Sequence, residues 1–194
     1  MTKDENAQNI VRPDASALIA AAGAVAGRGP APVHLWDPPF CGDLDMRIAR
    51  DGTWFYQGSP IARPAMVRLF ASVLKREGDA YFLVTPAEKV GITVEDVPFL
   101  AVDFAVAGDG ADRVLTFVTN TGEEVAAGPG HAIRMETGAD ADPAPYLHVR
   151  AGLEARIDRK SFYRLVDLGE IEGAWFGIRS GGAFFALAPA EALS

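Results

Sequence analysis

The chain has a single cysteine, Cys41, so no disulfide can form within it. That removes the small secreted scaffolds stapled by disulfides, and a reducing cytoplasm is the expected home. Basic residues are scarce as well: 18 Lys and Arg stand against 26 Asp and Glu, for a net charge of −8. A nucleic-acid or anionic-membrane partner needs a basic face, so neither is expected. The most apolar stretch, Ala15–Gly27, is too short to span a bilayer. Asp4, Glu5 and Asp14 offset Lys3 and Arg12 before it, so it lacks the net-positive lead of a cleaved signal and reads as a surface helix. Motifs of catalysis are missing too. No P-loop and no HExxH occur, and GPGHAI does not fit the dinucleotide fingerprint. Ile178 stands two before Ser180, where a nucleophile elbow needs glycine. Asp109, Asp112, Asp140 and Asp142 lack the EF-hand spacing. No catalytic residue, metal ligand or cofactor is named by pattern.

What is present is a folding sequence. The chain is 194 residues long, 49% hydrophobic and 23% charged, enough for one domain or two small ones with a real core. Met1–Arg12 is polar and expected to be disordered. Asp14 is placed to cap a helix over Ala15–Val25, with Gly27 as its stop. GPAPVHLWDPPF then reads as an extended arm, because its prolines lack the N–H of an interior strand; Leu35, Trp36 and Phe40 are expected to pin it. Residues 1–33 are taken as this N-terminal region, 34–97 as a first α+β unit, and 98–194 as a β-meander followed by a second unit.

The division rests on a repeated phrase. IARPAMVRLF (Ile61–Phe70) and IDRKSFYRLV (Ile157–Val166) share Ile, Arg, Arg and Leu at matching places. Strand-like runs precede and follow both. In the first copy, LDMRIAR alternates, Asp51-Gly52 is a hairpin turn, and TWFYQ returns. Met66, Leu69, Phe70, Val73 and Leu74 follow a helical stripe that Gly78 ends. The second copy has Asp158 as N-cap and Gly181-Gly182 in its last hairpin. Between them FLAVDFAV, RVLTFVT, EEVAAG and HAIRME form the meander, and ETGADADPAP an exposed acidic loop. The fold class is therefore α+β: a duplicated β-β-α-β-β unit in antiparallel sheets. Leu69 should superpose on Leu165, and Arg63 on Arg159.

Candidate ligand-binding residues follow from placement. Asp43, Asp45 and Arg47 share one face of a strand, either as a polar strip lining a site or as a solvated face with a weak ion pair. His131 follows the Gly-rich turn GPG, near the hairpin residue Asn120, and can titrate against a ligand or bond the turn. Asp43, Asp45 and Arg47 are expected to share a cleft with His131 or Asn120. Arg63 and Arg159 open the two repeated helices, where they can face each other and bind an anion or pair with carboxylates. Cys41 reads as a small buried hydrophobe, no local signature making it a nucleophile.

The phrases CGDLDMRIARDGTWFYQGSPI, LVTPAEKVGITVEDVPFLA, FVTNTGEEVAAGPGHAIR, YLHVRAGLEARI and RSGGAFFAL resemble a proteobacterial family of unknown function, number 1285 in the domain-of-unknown-function series. The resemblance runs from about Val33 to Leu187. It implies a duplicated core whose second half is loosely like pleckstrin-homology folds, a nucleotide-derived ligand between the halves, and a role in signalling. It implies no catalytic residue. Three functions stay open, in this order: a cytoplasmic small-ligand module with its site between the halves, a protein-interaction module using a sheet edge or groove, and a hydrolase using Asp45 or His131.

Overall fold

Asp14 accepts a hydrogen bond from the Ser16 N–H at 3.2 Å and starts helix α1, Ala15–Val25. The structure, a computed structural model, describes residues 13–27, 29–136 and 143–193. The expectations for Met1–Arg12 and for most of the acidic loop lie outside those residues. Leu18 and Ala22, one turn apart on α1, are buried, so the helix is docked. The arm behind it is tied by the Ala31 N–H to the Ser72 carbonyl at 2.8 Å. Ala31 and Val33 are buried and Trp36 is half-buried, whereas Leu35 and Phe40 are exposed. Of the three residues expected to pin the arm, Trp36 packs on the core, while Leu35 and Phe40 do not and Ala31 and Val33 take their place.

Six strands follow: β1 (Phe40–Ile48), β2 (Trp54–Tyr56), β3 (Ser59–Pro60), β4 (Leu74–Glu77), β5 (Ala80–Val84) and β6 (Lys89–Val94). Helix α2 (Pro64–Ser72) lies between β3 and β4. Six more come next: β7 (Phe99–Ala107), β8 (Val114–Thr119), β9 (Glu124–Ala126), β10 (Ile133–Glu136), β11 (Ala144–Arg150) and β12 (Leu153–Ile157). Helix α3 (Arg159–Val166) and a last three-stranded sheet, β13 (Glu170–Glu172), β14 (Trp175–Ser180) and β15 (Ala183–Pro189), complete the chain.

The first sheet runs β3-β2-β1-β6-β5-β4, and the second, read from the matching edge, runs β9-β8-β7-β12-β11-β10. The strand order is the same in both. Each is two antiparallel three-stranded meanders joined through their first and last strands. Those joins, β1 with β6 and β7 with β12, are parallel. The α+β class and the duplication stand, and the sheets are antiparallel apart from one central pair each. One of the two halves curls into a half-barrel, and α3 follows the second sheet.

Both helices have hairpins before and after them, yet they do not occupy equivalent places in the strand order. Helix α2 follows the third strand of its set, while α3 follows the sixth of the other. Leu69 and Leu165 therefore differ: Leu165 is fully buried and Leu69 only partly. Helix α2 also stops earlier than its apolar stripe predicts. The Ser72 hydroxyl donates back to the Leu69 carbonyl at 2.7 Å, and Val73 and Leu74 are buried as the chain turns into β4, paired with β5. Two consecutive apolar residues fit a helical stripe and a strand entrance equally well.

One core joins the two sheets. Trp54 stacks on Phe70 at 6.2 Å, and Phe104 packs on Phe117 at 5.2 Å. Polar links cross between the halves. Arg76 Nη1 donates to the Gly152 carbonyl at 3.1 Å, and Asn120 Nδ2 to the Gly52 carbonyl at 3.3 Å. The Tyr146 hydroxyl donates to Asp96 at 2.9 Å and Arg156 Nη1 donates to the same carboxylate at 3.1 Å, so Asp96, between β6 and β7, is doubly held. The third sheet is fastened by Ser180, whose buried hydroxyl accepts from the Leu115 N–H at 2.9 Å and donates to the Ala127 carbonyl at 2.8 Å.

Candidate functional site

Ala65, Arg68, Leu69 and Ser72 recur at i, i+3, i+4 and i+7 on α2 and so share one helical face. That face lines a cavity of about 630 Å³. The turn from β8 to β9, Thr121 to Glu124, forms the opposite wall, and Ala26, Gly27, Gly29 and Pro30 after α1 form a third. Its volume lies within the range of small-molecule sites. The cavity belongs to both halves, and its charged lining residues are Arg68, Arg150, Glu123 and Glu124.

Arg150 ends β11, where the pairing with β12 loses register beside the positive-φ residues Ala151 and Gly152. The break turns its side chain across the boundary between halves. Nη2 donates to the Ala71 carbonyl at 2.8 Å, Nε donates to Glu123 at 3.1 Å, and the guanidinium lies 5.5 Å from the Phe99 ring. Burial pulls the Arg150 pKa below its ordinary value, and Glu123 opposes that shift. The pair neutralises itself. Arg68 and Glu124 are exposed, and their side chains have no hydrogen bond or ion pair among the described residues.

The residues singled out from the sequence lie elsewhere. Asp43, Asp45 and Arg47 do share the outer face of β1. However, Asp43 faces a shallow hollow of about 340 Å³ with Phe40, Phe82 and Lys89, packed so closely on Gly91 that a Cβ there would collide with it. Asp45 and Arg47 line another of about 210 Å³. Arg47 is paired with Glu95 and stacked 4.3 Å from Phe55. Both hollows are lined by first-half residues alone, because this face of the sheet points away from the second half. The cleft shared with His131 or Asn120 is not formed.

Arg63 is the exposed N-cap of α2 and Arg159 begins α3, its Nε donating to the Tyr163 hydroxyl at 3.1 Å. The unequal placing of the helices keeps the two from forming a symmetric pair at one cavity. Asn120 sits at the boundary, beside the cavity turn, as a latch: its Oδ1 accepts from the Leu100 N–H at 3.1 Å while Nδ2 reaches Gly52. His131 donates from Nδ1 to the His148 carbonyl at 3.2 Å, and the rings stack at 5.9 Å. His148 Nε2 accepts from the Gly152 N–H at 3.2 Å, which makes Nδ1 the donor to the Gly130 carbonyl. Cys41 is exposed rather than buried, its thiol donating to the Pro39 carbonyl.

Residues 31–97 match the N-terminal domain, and residues 98–187 the C-terminal domain, of the family described as a domain of unknown function, DUF1285. A crystal structure of a DUF1285 family protein from Silicibacter pomeroyi DSS-3 shares 66% identity, covers 91% of this chain and 97% of its own, and superposes with a TM-score of 0.85. Another, from Shewanella baltica OS155, shares 32% identity over 64% of this chain and 91% of its own, with a TM-score of 0.51. No curated protein matches the chain. Among the described residues, no helix is long and apolar enough to cross a membrane. Two matched domains and the 66% identical structure establish the relation: this chain belongs to the DUF1285 family.

Proposed function

We propose that the chain is a small-ligand-binding module whose site is the cavity between α2 and the β8–β9 turn. The observation that carries this reading is that both halves line one space of about 630 Å³, with charged groups from each. The bond from Arg150 to the Ala71 carbonyl, which ties the halves together, lies in its wall, so a bound molecule that touches both halves also holds them together. Such a module suits signalling, where occupancy is the output. The interaction reading has less behind it: the large exposed apolar residues Leu35, Phe40, Val106 and Tyr163 lie on separate elements, and Ile171 and Trp175 alone share a hairpin.

The test is native mass spectrometry of freshly purified protein, followed by thermal melts against AMP, GMP and a cyclic dinucleotide and against small zwitterions. A ligand at about 100 times its Kd adds roughly 2.7 kcal/mol, a rise of roughly 5–10 °C for a chain of this size. Ala65→Trp fills the cavity from an exposed helical position and removes the rise while the unliganded melt stays put. A ligand-induced rise that survives Ala65→Trp refutes the placement.

A further inference from the structure

We infer that the cavity takes a zwitterion, with its anionic end on Arg68 and its cationic end on Glu124; this rests on the proposed site between the halves. Among the described lining residues the charges sum to zero, two arginines against two glutamates. Arg150 and Glu123 already satisfy each other, and Arg150 spends a second donor on the Ala71 carbonyl. A ligand meets them as a neutral, hydrogen-bonded wall. The lining charges left without a partner among the described residues are one of each sign. They come from opposite halves: Arg68 from α2 and Glu124 from β9, the edge strand of the second sheet.

A polyphosphate would place several negative charges beside Glu124, with one uncommitted guanidinium among the described residues to meet them. Like charges at close range oppose binding as strongly as opposite charges favour it. A molecule with one carboxylate or other anion and one ammonium or amidinium meets both uncommitted groups. The guanidinium fork suits a planar carboxylate, and a carboxylate accepts well from an ammonium. Leu69, Ala65 and Ala26 give the lining an apolar part. A short peptide with free termini and an apolar side chain has this pattern, and the volume exceeds that of a single amino acid.

Calorimetry and thermal melts with Ala-Leu and Gly-Gly-Leu, each as the free peptide, N-acetylated and C-amidated, test this on the full chain, with AMP and GMP alongside. The expected result is binding by the free peptides, weakened about tenfold or more by either block. Arg68→Gln should abolish the penalty for amidation, and Glu124→Gln the penalty for acetylation, because each deletes one recognition point. Both are exposed positions, so folding is not at stake, and unchanged unliganded melts confirm that. Nucleotides that bind while the peptides do not, with Glu124→Gln neutral or tightening, overturn the zwitterion and leave the cavity reading standing. Failure of both sets overturns the zwitterion as well; a small molecule that co-purifies and is lost in Ala65→Trp then separates that outcome from failure of the site itself.

Discussion

Leu165→Ala and Leu69→Ala occupy matching places in the repeated phrase, yet they should cost very different amounts. Leu165 is 0% exposed in the core that joins the second sheet to the rest. Truncating it leaves a closed void, for which fully buried leucines lose about 3–5 kcal/mol. Leu69 is partly exposed and already borders the open cavity, so its truncation enlarges an existing space. Only the transfer cost of the buried part is lost, about 1 kcal/mol. Unfolding entropy of about 2.1 cal/mol/K per residue gives roughly 0.4 kcal/mol/K for 194 residues. Leu165→Ala should then lower the melting point by roughly 8–12 °C and Leu69→Ala by roughly 2–3 °C. Urea melts followed by far-ultraviolet circular dichroism measure both, with unchanged m-values required for the comparison. Equal losses, or a silent Leu165→Ala, would refute the unequal placing of the two helices.

Gly52 has φ +81°, and a Cβ there would meet Asn120 Nδ2 at 2.6 Å, so Gly52→Ala should destabilise by about 1–3 kcal/mol in the same melts. Asn120→Ala, which removes both latch bonds, should cost about 1–2 kcal/mol. Ser180→Ala leaves the Leu115 N–H and the Ala127 carbonyl buried without their partner; about 2–4 kcal/mol is expected, read by denaturant melts. Burial, and the Asp96 carboxylate that accepts its proton, push the Tyr146 pKa up to about 12 from 10.0. The folded state holds this proton more tightly than the unfolded one, so the stabilisation is complete below about pH 10 and disappears as pH rises to about 12. Tyr146→Phe should flatten that decline, and phenolate absorbance should show its late titration in the native protein.

Local chemistry was readable from residues, and long-range geometry was not. Asp14 caps α1 and Asp158 caps α3, each accepting from a nearby backbone N–H, because capping needs only the next few residues. The strand KVGITV has the bounds its composition predicts. By contrast, β4 was hidden in the tail of a helical stripe, and β13 carries the residues of an ordinary polar loop. The parallel pairings join strands some fifty residues apart (Phe40 with Lys89), and no neighbouring residue encodes them. The cavity residues left only faint marks. Arg68 was visible as an identity of the repeated phrase, and Glu123-Glu124 as the end of a hairpin. Arg150 had no mark at all: its role comes from a register break that turns it across the boundary.

The order of strands has a consequence for how the chain is made. In each half the first strand waits for the last: β1 is flanked on one side by β2 at once, but its other edge stays open until β6 exists. Closing such a pair requires a long loop to be drawn in, which slows folding relative to local hairpins. On the ribosome the first half can shut once residue 94 has emerged, long before β12 arrives to shut the second. Until then β7 shows an open apolar edge to its neighbours. Aggregation during synthesis should therefore track the second half, and a pause between the halves would separate two closures that would otherwise compete for one another's edges.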